Sequence, residues 1–361
     1  MTVLLYILGE TYEKRAVVDR WFSLLWVKRY FGCGEFELFI PADDRLIPYL
    51  QPDYFIIRDD DDSVMVIEKL QIQTDAENGD SFIVSGRSLE SILYRRIFNR
   101  QWAIDHQGTL DGAVGAMIAE ATANHDSTPG HPYTYRQIPG LSVNHDPSHS
   151  YDGSMQVQFT GQTLYDAVVS VCMPREVGWK INIVDSTLLL TLYKGDEVPV
   201  IFSDEFDNLI NSKYLFDMTA FSNDTYIGGE GEGNERRWLH MYTTATKAEI
   251  PSGLALRELY VDAKDVSSNN GEISDYEYTG MLKSRGKEKL AEHAVKQSLE
   301  AEIEPQTTYK YKTDWNLGDI VTVQNKYCIT AKPRIIEVIE CWDENGYSVV
   351  PTFDDLQVIP S

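Results

Sequence analysis

Four glycines fall within six positions in Gly228-Gly229-Glu230-Gly231-Glu232-Gly233. Such a loop can cradle a phosphate, wrap a metal ion or simply reverse the chain. Phosphate binding needs backbone N–H groups converging at a helix N-terminus, normally beside a lysine. Here glutamates separate the glycines and would repel a phosphate, and no Gly-Lys-Ser/Thr follows. A calcium loop needs oxygen ligands at alternating positions, closed by a bidentate acid. Glu230, Glu232 and Glu235 offer oxygens, but their spacing is not that of an EF-hand. The next residues, Arg236-Arg237-Trp238-Leu239-His240-Met241-Tyr242, alternate like a strand. The stretch therefore reads as a hairpin whose tip needs positive φ and holds its glutamates in solvent.

Two further groups of residues invite the same question. The run Asp59-Asp60-Asp61-Asp62 wants either a cation or open water, and its flanking strands favour a solvated hairpin tip. His106, His125, His131, His145 and His149 crowd one span, but His-Glu-x-x-His is absent, and His145 and His149 stand in a Pro/Ser loop where their spacing has no helical meaning. They read as structural histidines. No Gly-x-Ser-x-Gly elbow is present. Cys172 lies on an apolar helix and reads as core, and Cys33, Cys328 and Cys341 are too dispersed for a disulfide framework or zinc module. The sequence thus implies no catalytic residue, no metal and no cofactor.

Charge narrows the function classes. The 361 residues include 56 acidic and 32 basic ones, a formal net charge of −24. A surface of that sign repels nucleic-acid phosphates, which argues against a sequence-reading DNA binder but not against one that DNA slides past. The apolar N-terminal run Thr2–Leu8 lacks a basic flank and a cleavage site and reads as a strand. No apolar run approaches the ~20 residues of a membrane span.

The elements that must carry these residues fall into three parts. Residues 1–100 read as strand after strand, including the period-two Glu35–Pro41, and predict a small barrel or sandwich, with a first β-barrel as the expectation. Residues 101–205 predict an α+β insertion, with helices over Asp111–Asn124 and Thr163–Met173, a long loop between them, and strands Gly178–Val184 and Thr187–Tyr193 joined by Asp185-Ser186. Residues 206–361 return to strands and predict a second β-barrel, with one helix over Lys287–Leu299. The expected fold class is α+β, mainly β: two barrels flanking an α+β insertion.

Taken in order, Ser85-Gly86-Arg87-Ser88-Leu89-Glu90, then Ser203-Asp204-Glu205-Phe206-Asp207-Asn208-Leu209, then the glycine stretch, then Leu317-Gly318-Asp319-Ile320-Val321 and Gly346-Tyr347-Ser348-Val349-Val350-Pro351, form a recognisable set. From about residue 20 onward the chain resembles the siphovirus baseplate-hub, or tail-associated, proteins, which are similar in architecture to the central hub of contractile-phage baseplates. The resemblance implies a homotrimer whose two tube domains per chain make a pseudo-sixfold ring. Its implied partners are the tail tube and distal tail protein on one side and tail-tip or fibre proteins on the other, with DNA only in passing during genome ejection. The implied location is the virion's tail tip or baseplate, after synthesis in the host cytoplasm. Some relatives carry a C-terminal wall-cutting domain; this chain ends at Ser361 directly after its second β segment, so such activity is expected of another chain.

In this picture Gly229, Glu230, Gly231, Glu232 and Gly233 face the ring lumen or a neighbouring subunit. Two other classes stay in view. A carbohydrate- or receptor-binding tail protein would use the 11% aromatic content for stacking on sugars. A metal-stabilised assembly would use Asp59–Asp62 or His145 and His149.

Overall fold

The computed structural model describes residues 3–75, 79–123, 135–147, 150–206, 208–242, 250–303, 309–324 and 330–354. His125, His131, His149 and Cys328 lie outside the described residues. The first segment contains β1 (Leu5–Leu8), β2 (Lys14–Val18), β3 (Ser23–Arg29), β4 (Glu35–Pro41), β5 (Phe55–Arg58), β6 (Val64–Gln73) and β7 (Ser81–Ser88). Next come β8 (Trp102–His106), α1 (Leu110–Thr122), β9 (Leu141–Val143), β10 (Met155–Phe159), α2 (Leu164–Cys172), β11 (Gly178–Val184), β12 (Thr187–Tyr193) and β13 (Glu197–Ser203). The last part holds β14 (Leu209–Asp217), β15 (Asp224–Gly228), β16 (Trp238–Tyr242), β17 (Glu258–Asp262) and α3 (Asp275–Glu292), then β18 (Lys296–Ile303), β19 (Ile320–Gln324), β20 (Thr330–Ala331), β21 (Ile335–Asp343) and β22 (Gly346–Phe353).

The expectation of two closed barrels is wrong. One open sheet of eleven strands runs in the order β14-β18-β22-β21-β3-β4-β7-β6-β5-β1-β2 and joins the first segment to the last. Closing the first barrel would require β2 to pair with β3. Instead β21 takes that edge of β3, antiparallel, with Val27 opposite Ile339 and Leu25 opposite Cys341. Leu24, Trp26 and Val27 are buried and Leu25 is half-buried, so the strand has almost no side to give to water. The fold is α+β and mainly β, but its first and last segments share a sheet.

The sheet curls, because inward side chains of strands that are not neighbours meet. Arg58 of β5 reaches Glu340 of β21 at 2.9 Å. One core lies beneath Leu5, Ile7, Trp26, Phe36 and Met65, and Trp342 packs against it. A second core gathers α1, α2, β11 and β12 around Trp179 and Tyr165.

The insertion's elements follow its sequence pattern. Thr163 caps α2 by accepting from the Asp166 N–H at 3.0 Å. Asp185 and Ser186 both take positive φ, the geometry of a two-residue hairpin turn between β11 and β12. The third helix differs from expectation. It spans Asp275–Glu292 and gives way to the strand Lys296–Ile303. Ser274 and Glu277 form a reciprocal capping box that starts it, and Tyr278, Met281, Leu282 and Leu290 make its buried face. The tail of the expected helix is drawn into β18 by pairing with β14 and β22.

Tyr30 locks the three parts together. It is fully buried and donates its hydroxyl to the Tyr193 carbonyl at 3.1 Å, with the Glu176 carbonyl at 3.2 Å. Its ring lies over Gly178 and Gly318; a Cβ on Gly318 would stand 2.4 Å from Tyr30 Cε2, and Gly318 holds φ at +97°. Strain and overlap add at this position. Gly318→Ala should therefore cost about 2–4 kcal/mol, read as a lowered urea midpoint; an unchanged midpoint would show that Tyr30 does not hold the junction.

Candidate functional site

The glycine stretch is a hairpin turn. β15 pairs antiparallel with β16, Gly228 opposite Trp238, and residues 229–237 connect them. Gly231 and Gly233 take φ of +92° and +56°, which a side chain resists. Gly229 is buried, and a Cβ there would stand 2.2 Å from the Tyr278 hydroxyl of α3. The two glutamates part company. Glu232 is exposed. Glu230 turns inward: its backbone N–H donates to the Tyr278 hydroxyl at 2.8 Å, and its carboxylate accepts from the Ser268 N–H at 2.8 Å and from Arg237 at 3.4 Å. Partial burial pushes the Glu230 carboxyl up, but the bonds from Ser268 and Arg237 outweigh it and hold it below the ordinary value.

The aspartate run is a solvated tip only in part: Asp59, Asp60 and Asp62 are exposed, but the Asp61 side chain is not. Asp61 is 2% exposed and takes Lys28 at 2.6 Å and Lys312 at 2.7 Å. Asp60 accepts from the Arg58 guanidinium at 2.8 and 2.6 Å, and Asp62 takes Lys180 at 2.5 Å and Asn182 at 3.0 Å. Asp59 accepts from the Leu4 N–H at 2.9 Å. Beside them the buried Arg58–Glu340 pair is bidentate, Tyr347 donates to Glu340 at 3.0 Å, and Arg58 lies 4.4 Å above the Trp342 ring. Burial alone would raise the Asp61 carboxyl, but Lys28 and Lys312 hold it far below the usual carboxylate range. The run carries its own cations, drawn from all three parts of the chain.

Those cations were missed at the sequence level. The available signal was parity: Arg58 and Glu340 occupy inward positions of strands otherwise filled by Ile56 and Val338. The histidines do not converge. His106 bonds the Thr109 carbonyl at 3.0 Å, and His145 pairs with Asp111. Among the described residues no three His, Cys, Asp or Glu side chains come together as a metal site. Cys172 is fully buried, and burial pushes its thiol up to about 12, away from reactivity. Among the described residues no helix is long and apolar enough to cross a membrane.

The fold is shared with solved tail proteins. The tail protein from Neisseria meningitidis MC58 matches at 12% identity and TM-score 0.62, covering 98% of this chain and 97% of that one. The prophage MuSo2 43 kDa tail protein from Shewanella oneidensis matches at 14% identity and TM-score 0.58, covering 97% of each. Prophage tail protein gp18 from Listeria monocytogenes EGD-e matches at 11% identity and TM-score 0.53, covering 98% and 94%. At such identities the likeness establishes the fold. Residues 4–353 match the Siphovirus ReqiPepy6 Gp37-like protein family, and the chain belongs to it. No curated protein sequence matches the chain. The resemblance to siphovirus tail-associated, baseplate-hub-like proteins holds.

Two outcomes follow from the aspartate–lysine–arginine cluster. Glu340→Ala should cost about 1–3 kcal/mol, because it strips buried Arg58 of one of its two carboxylate partners and leaves only Asp60, whereas Arg58→Met with Glu340→Leu should recover most of that loss. Chemical denaturation of the three variants checks this; a double variant as unstable as the single one contradicts it. Asp61 is depressed in the folded state, so its contribution is present above about pH 4, the unfolded value, and is lost as pH falls toward the folded value. Asp61→Asn should flatten the acid limb of the stability–pH curve. Glu90, raised by burial, titrates in the opposite sense, its contribution being lost as pH rises, so it does not account for an acid loss.

Proposed function

We propose that the chain is a structural hub of a phage or prophage tail. Three copies close a pseudo-sixfold ring between the tail tube with its distal tail protein and the tail tip or fibres, and DNA passes through it. Residues 1–100 and 206–361 supply the ring's β units, and residues 101–205 are inserted between them. The chain's work is assembly rather than catalysis, and its place is the virion tail tip.

The observation that carries this reading is the open sheet. β14 and β2 end it, each with one partner strand among the described residues. An unpaired strand edge recruits another chain unless charge, proline or a covering element blunts it. On β14, Tyr214, Leu215 and Phe216 are consecutive and exposed, the last two by 45% and 50%. Successive strand residues alternate faces, so this edge shows apolar groups on both. β2 is unlike it: Lys14 and Arg15 set two β2 edges against each other, which favours an unlike edge as partner, and Val17 is exposed beside them. Pairing unlike edges of successive copies is head-to-tail, and such contacts make rings when the rotation closes. The net charge of −24 supports a lumen that DNA crosses without adhering. Gly229, Gly231 and Gly233 shape the turn, Glu230 braces it from within, and exposed Glu232 faces the lumen or a neighbour.

A second reading has one observation in its favour. The outward face of the β15–β16–β17 sheet shows exposed Tyr226, Trp238 and Tyr260, with Tyr226 stacked on His240 at 4.2 Å and Glu258 and Asp262 on the same strands. Aromatic planes beside carboxylates suit a sugar, the mark of a carbohydrate- or receptor-binding tail protein. Retention on host cell-wall polysaccharide that Trp238→Ala abolishes would favour it over the hub.

The hub reading is tested by mass. Light scattering on a sizing column should give three times the 41.1-kDa chain mass, alone or with the distal tail protein added. Leu215→Lys with Phe216→Lys should reduce it to the chain mass while the melting temperature stays within about 4 °C. A chain that stays monomeric even with its partner, or a trimer indifferent to the β14 changes, sinks the edge-closed ring. Glu232→Lys should leave folding intact and slow DNA ejection; unchanged ejection and infectivity would remove that residue from the lumen.

A further inference from the structure

A groove of about 810 Å³ lies where α2, the end of α3 and the β13–β19 strands approach one another. Its floor is apolar: Phe31, Val169, Met173, Ala291 and Ile320 line it, and Met173 is 52% exposed. A contiguous apolar floor with a polar rim, rather than any one exposed side chain, is the usual mark of a contact surface. A smaller hollow of about 260 Å³ between α2 and α3 continues it, the two sharing Asp166, Ser170, Pro174 and Glu288.

The rim is unbalanced. Asp166, Glu176, Glu197, Glu288, Glu292 and Asp354 stand around the groove against Lys332 and Arg334. Both cations are already spent, Lys332 on Glu197 and Arg334 on Glu176 at 3.4 Å. Lys289 offsets Glu292 at 2.7 Å, while Arg285 is held by Asp265 at 2.8 Å and stands 3.7 Å from Glu288, so the excess of negative charge lies on Glu288, Asp166 and Asp354. An occupant must therefore bring apolar groups for the floor and positive charge for the rim. Along α2 and α3 the walls are helical, with backbone groups bonded internally. An occupant there must satisfy its own backbone, as a helix does.

We propose that this groove docks a cationic amphipathic helix of a partner protein, apolar face on Met173 and Val169, lysines or arginines toward Glu288, Glu292, Asp166 and Asp354. The chain's own residues 355–361 are a poor substitute by charge, since they contain an aspartate and no lysine or arginine.

The probe is a fluorescein-labelled Leu/Lys amphipathic peptide of about 18 residues, titrated against the full chain at about 0.15 M salt and followed by anisotropy. Its twin carries Glu in place of Lys. The Lys peptide should bind and the Glu peptide should not, with slowed amide exchange confined to α2 and α3. Glu292→Lys with Asp354→Lys should weaken binding about tenfold or more, and Met173→Asp should weaken it as well. Glu10→Lys with Glu344→Lys, the same change of net charge at exposed positions elsewhere, should leave affinity within about threefold. Equal losses in the two double variants would mean diffuse attraction to an acidic protein and overturn the proposal. So would binding of the Glu twin, protection outside the groove, or absence of binding. If deleting residues 355–361 raised the affinity about tenfold, the groove would belong to the chain's own terminus, and the partner proposal would fall.

Discussion

The structure depends on a buried charge. Arg58 sits at an inward position of β5, and a guanidinium cannot stay there without partners, because removing it from water costs several kcal/mol. Its partners are Asp60, two residues on, and Glu340, 282 residues away. The long-range bond decides topology. It fixes where β21 lies relative to β5, and so how far the open sheet must curl. Pairs of this kind contribute little net stability compared with apolar replacements; what they contribute is a penalty on every arrangement that separates them. Asp61 and Asp62 extend the penalty to Lys28, Lys312 and Lys180, so the first segment, the insertion and the last segment are held to one geometry.

What could be read in the sequence was local. Glu35–Pro41 announced its strand by alternation, Asp185-Ser186 its turn, and the apolar spacing within Thr163–Met173 the helix α2. What could not be read was which edges meet. A strand's hydrogen-bonding edge carries no side-chain label, so β3 was as ready to pair with β2 as with β21. The helical periodicity around Leu290 was real, but its extent was misjudged. The Ser274–Glu277 capping box marks a start that the apolar face near residue 290 does not reveal. At the other end β14 and β22 decide where the helix stops, and both are distant in sequence.

The two acidic motifs make the same point about sites. Both were read as solvated tips, and by local criteria they are alike. Glu232 is exposed, yet Glu230 is tied to Ser268 and Arg237, and Asp61 is buried among lysines. The difference lies in which cations arrive, and these come from positions that no local window contains. In a chain with 32 basic and 56 acidic residues, cations are the scarcer resource, so where they are spent is more informative than where the acids cluster.

That scarcity also shapes assembly. Arg58, Lys28, Lys180 and Lys312 are consumed at the aspartate run, and Arg236 and Arg237 on Asp262, Glu230 and Asp275 around the glycine loop. With these cations paired and a net charge of −24, the surface is predominantly acidic, and two copies approaching at random repel each other within a Debye length of about 8 Å. Association between copies then has to come from contacts that do not rely on charge. An apolar strand edge supplies backbone hydrogen bonds and buried area, and β14 has both. Association with other proteins has the opposite requirement, because an acidic rim around an apolar floor rewards a basic partner and rejects a second copy of this chain. On the proposed reading one charge distribution separates the two kinds of contact: like copies would meet through the apolar Tyr214-Leu215-Phe216 stretch of β14, and unlike partners through complementary charge.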